Sequence, residues 1–161
     1  MSWKNIYQEK YSKPVKKLIQ GKIIQGTRGA SGLWSGSSPN DVGTIAKQKP
    51  YFKSAGIKRV DLWYEGTINI NIEPKKIKIL KPDYIITAEW KPNIVETFWL
   101  VDIVFKHKEK CYPAYIYYPC TSSVKAHPDS IIELLAEKIE PLNYGDVATI
   151  EISHDSVIFA D

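Results

Sequence analysis

One stretch of the sequence combines polar side chains that could bind a metal ion with the strict alternation of a β-strand. From Thr67 to Ile72, polar and apolar residues alternate, and successive side chains in a strand point to opposite faces. The pattern therefore predicts that Thr67, Asn69 and Asn71 share one face. A hydroxyl and two amides in a row supply neutral oxygen ligands, which suit Mg²⁺ that brings an anionic phosphate with it.

Two further observations favour a binding site over an ordinary solvated face, which is the alternative interpretation. Asparagine is disfavoured in strands, yet it occurs twice in this one. Gly66 directly precedes the strand, at a position where the backbone could approach a ligand closely. The other face of the strand carries Ile68, Ile70 and Ile72, which are expected to lie in a hydrophobic core.

The composition limits the class of protein. The chain has 161 residues, of which 43% are hydrophobic and 25% charged, as is typical of one globular domain with a substantial core. The net charge of +4 is carried almost wholly by lysine. That mild excess is compatible with an anionic ligand and falls short of the basic patches of dedicated nucleic-acid binders, so a protein that binds single-stranded nucleic acid is the least favoured alternative.

The cysteines and the N-terminal residues indicate the cellular compartment of the protein. Cys111 and Cys120 form no CxxC motif and no cluster at zinc spacing, so free thiols in a reducing compartment are expected. Residues 1–17 are polar and lysine-rich without the apolar segment of a secretory signal, and no run of 18 apolar residues is present. The sequence thus predicts a cytoplasmic protein with no membrane partner and leaves its oligomeric state open.

The elements before the polar strand include a long glycine-rich loop. Residues 1–20 are a polar N-terminal extension whose apolar residues are spaced for a short helix, and residues 21–161 are predicted to form a single domain. The loop from residue 26 to residue 43 contains five glycines; its N–H groups beside Arg28 could cradle phosphates, and a plain mobile loop is the alternative. A short helix is predicted over residues 44–55.

In the C-terminal half, the spacing of the apolar residues changes from that of a strand to that of a helix. The segment from His127 to Ser130 is a helix-start signature, and Ile131, Leu135 and Ile139 then recur at helical spacing. These residues predict a helix, in which His127 is a capping or pre-proline residue without a function of its own. Pro141 is expected to end it.

The remaining segments are rich in branched and aromatic residues and predict short strands. They lie at residues 21–26, 77–80, 84–90, 97–105, 111–118 and 147–152. The charged residues 106–110 predict the turn of a hairpin with His107 in solvent. Because short alternating strands in one domain suggest a closed barrel without exposed edges, the predicted fold class is mostly β, with one helix in the C-terminal half and a short helix before the polar strand.

Four segments carry a resemblance to a known family. They are residues 64–70 (YEGTINI), 127–136 (HPDSIIELLA) and 142–147 (LNYGDV), preceded by the strand and loop at residues 21–26 (GKIIQG). In this order they resemble the archaeal CTP-dependent riboflavin kinases, whose patterns are Y-[PE]-G-T-L-N-[VL], a central I-I-E-I-I-A and L-x-D-G-D-x-V. The resemblance covers roughly residues 21–152 and implies a small closed six-stranded barrel of the cradle-loop, or RIFT-like, type.

The resemblance implies an activity and a site. The activity is transfer of a phosphoryl group from CTP, or another nucleoside triphosphate, to riboflavin, which gives FMN, with Mg²⁺ as the cofactor. The metal ligands would be Thr67 and Asn69, and Glu133 would be the catalytic residue. The implied nucleotide contacts are Gly26, Thr27, Arg28, Gly29, Ala30, Lys138 and Ile139, and the implied flavin contacts are Thr121, Ser122 and Glu133.

Two alternatives to this interpretation remain open. Glu133 without the resemblance would be an exposed residue in the first turn of a helix, where the helix dipole favours an acidic side chain. The whole protein would alternatively be a non-catalytic flavin- or nucleotide-binding barrel module. That second alternative rests on residues 138–141, which read KIEP and lack the arginine of the K-L-R segment that holds the nucleotide in the family.

Overall fold

The computed structural model describes residues 15–26, 43–120 and 127–161. Within these ranges the chain forms nine strands, one α-helix and one turn of 3₁₀-helix at Val60–Leu62. In chain order they are β1 (Lys16–Ile24), α1 (Thr44–Ser54), β2 (Ile68–Asn71), β3 (Lys76–Ile79), β4 (Tyr84–Lys91), β5 (Ile94–His107), β6 (Lys110–Pro119), β7 (Ile131–Leu135), β8 (Val147–Ser153) and β9 (Val157–Ala160). The described chain is therefore mostly β, as the sequence predicts.

Six of the strands close into a ring in which every pair is antiparallel. The order around the ring is β5, β6, β7, β2, β1 and β8, and β8 returns to pair with β5. Outside the ring, β4 pairs with β5, and β3 and β9 form a separate two-stranded sheet. Strand β5 is long enough to pair with β4 along one part of its length and with β8 along another. Its pairing with β8 closes the ring.

The interior of the ring is filled by the apolar face of each strand. One buried cluster includes residues from all six ring strands, among them Ile23, Ile70, Ile103, Ile116 and Ile132. As the alternation in β2 predicts, Ile70 is fully buried in this cluster, and its neighbours along the strand point to the other side.

Helix α1 lies where the sequence predicts a helix, and it covers the outer surface of the ring. Its Ile45 and Phe52 are fully buried in a second cluster with Phe98 of β5 and Tyr117 of β6. The Phe52 ring meets the ring of Phe98 edge-on, with centroids 5.7 Å apart. The outer face of β5, β6 and β7 is thus a second core, between the ring and α1. In the described part of the chain, no helix has the length and apolar character needed to cross a membrane.

Phe52→Ala is expected to destabilise the fold by about 3–5 kcal/mol, because it leaves a cavity between α1 and the ring. We expect the free energy of unfolding, measured by urea denaturation, to fall by this amount. Lys53→Ala, next to it on the exposed side of α1, removes only a surface pair with Asp61 and should change stability by less than about 1 kcal/mol. Equal effects of the two changes would contradict the packing of α1 on the second core.

The helix predicted in the C-terminal half is wrong, because residues 131–135 form strand β7. This strand pairs with β2 on one side and β6 on the other. Its residues Ile132 and Leu134 are buried inside the ring and Leu135 is buried in the second core. A strand buried on both faces is a continuous apolar run, which matches the spacing of a helix as well as that of a strand.

The other predicted strands are confirmed, with differences at their ends. Strand β1 begins at Lys16, so residues 16–20 of the predicted N-terminal extension are paired with β8 rather than helical; residues 1–14 lie outside the described ranges. The hairpin of β5 and β6 turns at Lys108 and Glu109, both with positive φ (49° and 65°), as a two-residue type I′ turn requires. Strand β9 is an addition that the sequence did not predict.

His107, which the sequence places in solvent, is buried. It is 3% exposed, stacks on Phe105 and hydrogen-bonds through Nε2 to Oδ2 of Asp146 at 2.8 Å. This bond, together with the backbone N–H of Asn143 and the charge of Lys108, lowers the pKa of Asp146 from its ordinary value of 3.8. The pairing ties the end of β5 to the turn before β8.

The lowered pKa of Asp146 predicts how stability depends on pH. A carboxylate with a lowered pKa in the folded state stabilises it above the ordinary pKa, and the stabilisation is lost as the pH falls through the lowered value. We expect the difference in Tm between the wild type and Asp146→Asn to be largest near neutral pH and to shrink as the pH falls below the ordinary pKa of 3.8. Thermal unfolding over this range tests it, and a difference that does not change with pH would contradict it.

Candidate functional site

The predicted metal ligands lie in β2 and one residue before it, and the predicted catalytic residue lies on the neighbouring strand β7. Asn69 of β2 is directly opposite Glu133 of β7 in the antiparallel register. Because residues opposite each other project from the same face of a sheet, both side chains point away from the core inside the ring, to which Ile70 and Ile132 belong. The strand pairing thus brings together two residues that lie far apart in the sequence.

Thr67, Asn69 and Glu133 form one connected polar group. The Thr67 hydroxyl donates to Oε1 of Glu133 at 3.3 Å, across 66 positions of sequence. Asn69 Nδ2 donates to the Thr67 carbonyl at 3.3 Å and lies 3.4 Å from Thr67 Oγ1. These distances are at the long end for hydrogen bonds, so the three side chains adjoin without being firmly held by one another. The shared face of Thr67 and Asn69 agrees with the sequence prediction.

Asn69 carries a buried oxygen whose hydrogen-bonding capacity is unused. The residue is 6% exposed, and among the described residues its Oδ1 has no hydrogen-bond partner. A buried acceptor without a partner costs about 1–3 kcal/mol, and such an atom in a folded protein is a candidate for contact with a ligand or an ion. Asn71 differs, because its Oδ1 accepts the backbone N–H of Glu73 at 2.9 Å and closes a turn.

The end of β1 passes directly over Asn69. A Cβ atom placed on Gly26 would lie 2.5 Å from Asn69 Nδ2 and 2.9 Å from Asn69 Cγ, closer than carbon side chains can approach. A larger residue at this point would therefore displace the Asn69 side chain, whereas glycine lets the backbone lie against the polar group. Gly26 is the first of the predicted nucleotide contacts, and the structure places it against a predicted metal ligand.

Glu133 lies in a mostly buried environment, in contrast to the exposed helical position of the alternative interpretation. Its side chain is 14% exposed, and Oε1 is 3.9 Å from Nε2 of His127, whose side chain is 11% exposed. Burial and the neighbouring charge of Glu133 raise the pKa of Tyr117 on β6. The Tyr117 hydroxyl donates to Oε1 of Gln48 on α1 at 2.8 Å, which links β6 to α1.

A narrow cleft opens beside Glu133 where β6 and β7 diverge. The two strands pair only at Tyr115–Leu135 and Ile116–Leu134. Beyond these pairs, His127 and Glu133 line a cavity of about 10 Å³ together with Tyr118, Pro119 and Ile131. A space of this size holds about one water molecule.

A nearly buried lysine contacts the segment that leads to Thr67. Lys49 of α1 is 9% exposed; its ammonium donates to the Trp63 carbonyl at 2.6 Å and is 3.7 Å from Oε1 of Glu65. Because Trp63 and Glu65 lie just before Thr67, the lysine fixes the segment that delivers the hydroxyl to the group. Sequence reasoning assigned no role to Lys49, since a single lysine in an amphipathic helix reads as an exposed residue.

The other predicted site residues have different positions. Lys138 is exposed and pairs with Glu140 at 2.8 Å, and Ile139 is 8% exposed within the core of the ring. The remaining predicted contacts lie outside the described residues: Thr27, Arg28, Gly29 and Ala30 for the nucleotide, and Thr121 and Ser122 for the flavin. Sequence reasoning missed His127 as a neighbour of Glu133, although it begins the same resembling segment.

The atoms of the group that could bind a metal ion are all oxygens. A threonine hydroxyl, an asparagine carbonyl and a carboxylate suit a hard cation such as Mg²⁺, which also takes ligands from substrate phosphates. In the parts of the chain that the structure describes, there is no group of three His, Cys, Asp or Glu residues placed to hold a metal.

Comparison with models of known protein families and with curated proteins gives no match to either.

Proposed function

We propose that this protein is a Mg²⁺-dependent phosphotransferase that moves the terminal phosphoryl group of a nucleoside triphosphate, CTP by resemblance, to the primary hydroxyl of riboflavin. The observation that supports it is the contact of Thr67 with Asn69 and Glu133, which joins the two proposed metal ligands to the proposed base. The six-stranded ring supports the finer fold assignment, a closed barrel of the cradle-loop type.

Thr67 and Asn69 would hold the metal through Thr67 Oγ1 and Asn69 Oδ1. The unpartnered, buried state of Asn69 Oδ1 supports this role, because a bound cation would satisfy it. Bound Mg²⁺ would neutralise charge on the transferring phosphoryl group and on the departing oxygens. The close approach of Gly26 to Asn69 would bring backbone N–H donors of the adjoining loop toward the same phosphates.

Glu133 would act as the general base. Its carboxylate accepts the proton of the substrate hydroxyl while that oxygen attacks the terminal phosphorus, and the bond from phosphorus to the bridging oxygen breaks, with the nucleoside diphosphate as the leaving group. The mostly buried position of Glu133 beside Thr67 supports this role, because a base there would lie next to the proposed phosphate site. Most of the rate enhancement would come from positioning the hydroxyl and the phosphate against each other.

A non-catalytic flavin- or nucleotide-binding module is the second candidate. It is favoured by the segment after β7, where Lys138 is paired with Glu140 on the surface and Ile139 is in the core. Neither is a typical phosphate ligand, because the charge of Lys138 is already paired with Glu140 and Ile139 is apolar. Under this candidate the polar group binds a ligand without turnover.

Incubation of riboflavin with each of the four nucleoside triphosphates and Mg²⁺, followed by chromatography, tests the kinase proposal. We expect FMN with at least one donor and none when EDTA removes the metal. A parallel thermal-shift screen with CTP, ATP, riboflavin and FMN, each with and without Mg²⁺, detects ligands that bind the folded state. Stabilisation by a flavin or nucleotide without any FMN would favour the second candidate, and no response to any of them would contradict both.

A further inference from the structure

The space between His127 and Glu133 has a size that suits one bridging group. Nε2 of His127 and Oε1 of Glu133 are 3.9 Å apart, which is longer than a direct hydrogen bond. The distance is also shorter than two hydrogen bonds laid end to end, so one oxygen atom can lie at about 2.8 Å from both. The cleft that the two residues line holds about 10 Å³, the space of about one water molecule.

The chemistry of the two side chains is complementary to an alcohol. A carboxylate only accepts hydrogen bonds, and an imidazole N–H donates one. A hydroxyl does both at once, since its proton can go to the carboxylate while an oxygen lone pair accepts from the imidazole. A carbonyl oxygen or an ammonium group can satisfy only one of the two neighbours.

We propose that the cleft binds the reacting primary hydroxyl of the substrate, which donates to Glu133 Oε1 and accepts from His127 Nε2–H. The inference rests on the proposed function and extends it, because it assigns His127 to the recognition of the acceptor alcohol. With one lone pair fixed by His127 and the proton directed at Glu133, the remaining lone pair is the one that attacks phosphorus. The cleft between Tyr118, Pro119 and Ile131 has room for the hydroxyl itself, and the carbon that carries it, as at the end of a ribityl chain, would lie at the opening of the cleft.

Flavin fluorescence titration tests this subsite without any need for turnover. Riboflavin is compared with 5′-deoxyriboflavin, which lacks only the reacting hydroxyl. We expect the wild type to bind riboflavin at least about 10-fold more tightly, because the deoxy compound cannot form the two hydrogen bonds to His127 and Glu133. His127→Phe should bring this ratio close to one, and His127→Gln, which keeps an N–H donor, should restore part of it.

The matched control is His154→Phe, because His154 is exposed on the surface and its replacement should leave the ratio unchanged. Thermal unfolding of each variant verifies that it is folded. A ratio near one in the wild type, or an intact ratio in folded His127→Phe, would overturn the inference, as would a failure of both flavins to bind. Discrimination between the flavins without FMN formation from any nucleotide would support the hydroxyl subsite and contradict the kinase proposal.

Discussion

Glu133→Gln is expected to lower kcat for FMN formation by about 10²–10⁴-fold, the range that a general base contributes. The glutamine keeps the shape of the side chain and can still accept the Thr67 hydroxyl, but it cannot take up a proton. The Kd of the nucleotide in the presence of Mg²⁺ should therefore change little. Steady-state kinetics and nucleotide titration by calorimetry measure the two quantities separately.

Glu137→Gln is the matched control for this prediction. Glu137 follows on the same segment and pairs with Arg59 at the surface, away from Thr67 and Asn69. The control should retain wild-type kcat. A Glu133→Gln enzyme with the wild-type kcat would show that another group accepts the proton, and the base would have to be sought elsewhere in the protein.

Thr67→Ala and Asn69→Ala are each expected to reduce kcat/KM by about 10²-fold or more, because each removes an oxygen ligand that fixes the metal against the phosphates. The Mg²⁺ concentration for half-maximal rate should rise in both variants. Stability should respond only slightly: Asn69→Ala removes an acceptor that has no partner together with two long hydrogen bonds from Nδ2, so these effects offset each other and Tm is expected to change little. FMN formation over a Mg²⁺ series, with thermal unfolding alongside, measures both.

Thr87→Ala is the control for the loss of a threonine from a strand. Thr87 lies on β4 and hydrogen-bonds to Thr97 at the surface, so its replacement should leave the Mg²⁺ dependence as in the wild type. If Thr67→Ala and Asn69→Ala kept the wild-type Mg²⁺ dependence, the assignment of the metal to these two side chains would be wrong. A large loss of stability in Asn69→Ala would indicate a structural role for the amide instead.

The sequence by itself determined the features that depend on neighbouring residues. Strict alternation from Thr67 to Ile72 predicted both the strand and the shared side of Thr67 and Asn69, because side-chain direction in a strand follows from the backbone geometry alone. The helix before this strand and the hairpin around Lys108 were predicted for the same kind of reason, since helix spacing and turn conformation are local. The structure contains the strand, the helix and the hairpin, and the described chain is mostly β.

Only the tertiary structure decided what depends on residues distant in the sequence. The run Ile131–Leu135 fits a helix and a strand equally well by its spacing, and its pairing with β2 and β6 made it a strand. That pairing also set Glu133 opposite Asn69 and left the cleft in which His127 lies 3.9 Å from Glu133. The choice of partners and register is made by the packing of the whole ring, because a one-residue slip would turn the apolar faces of β2 and β7 outward.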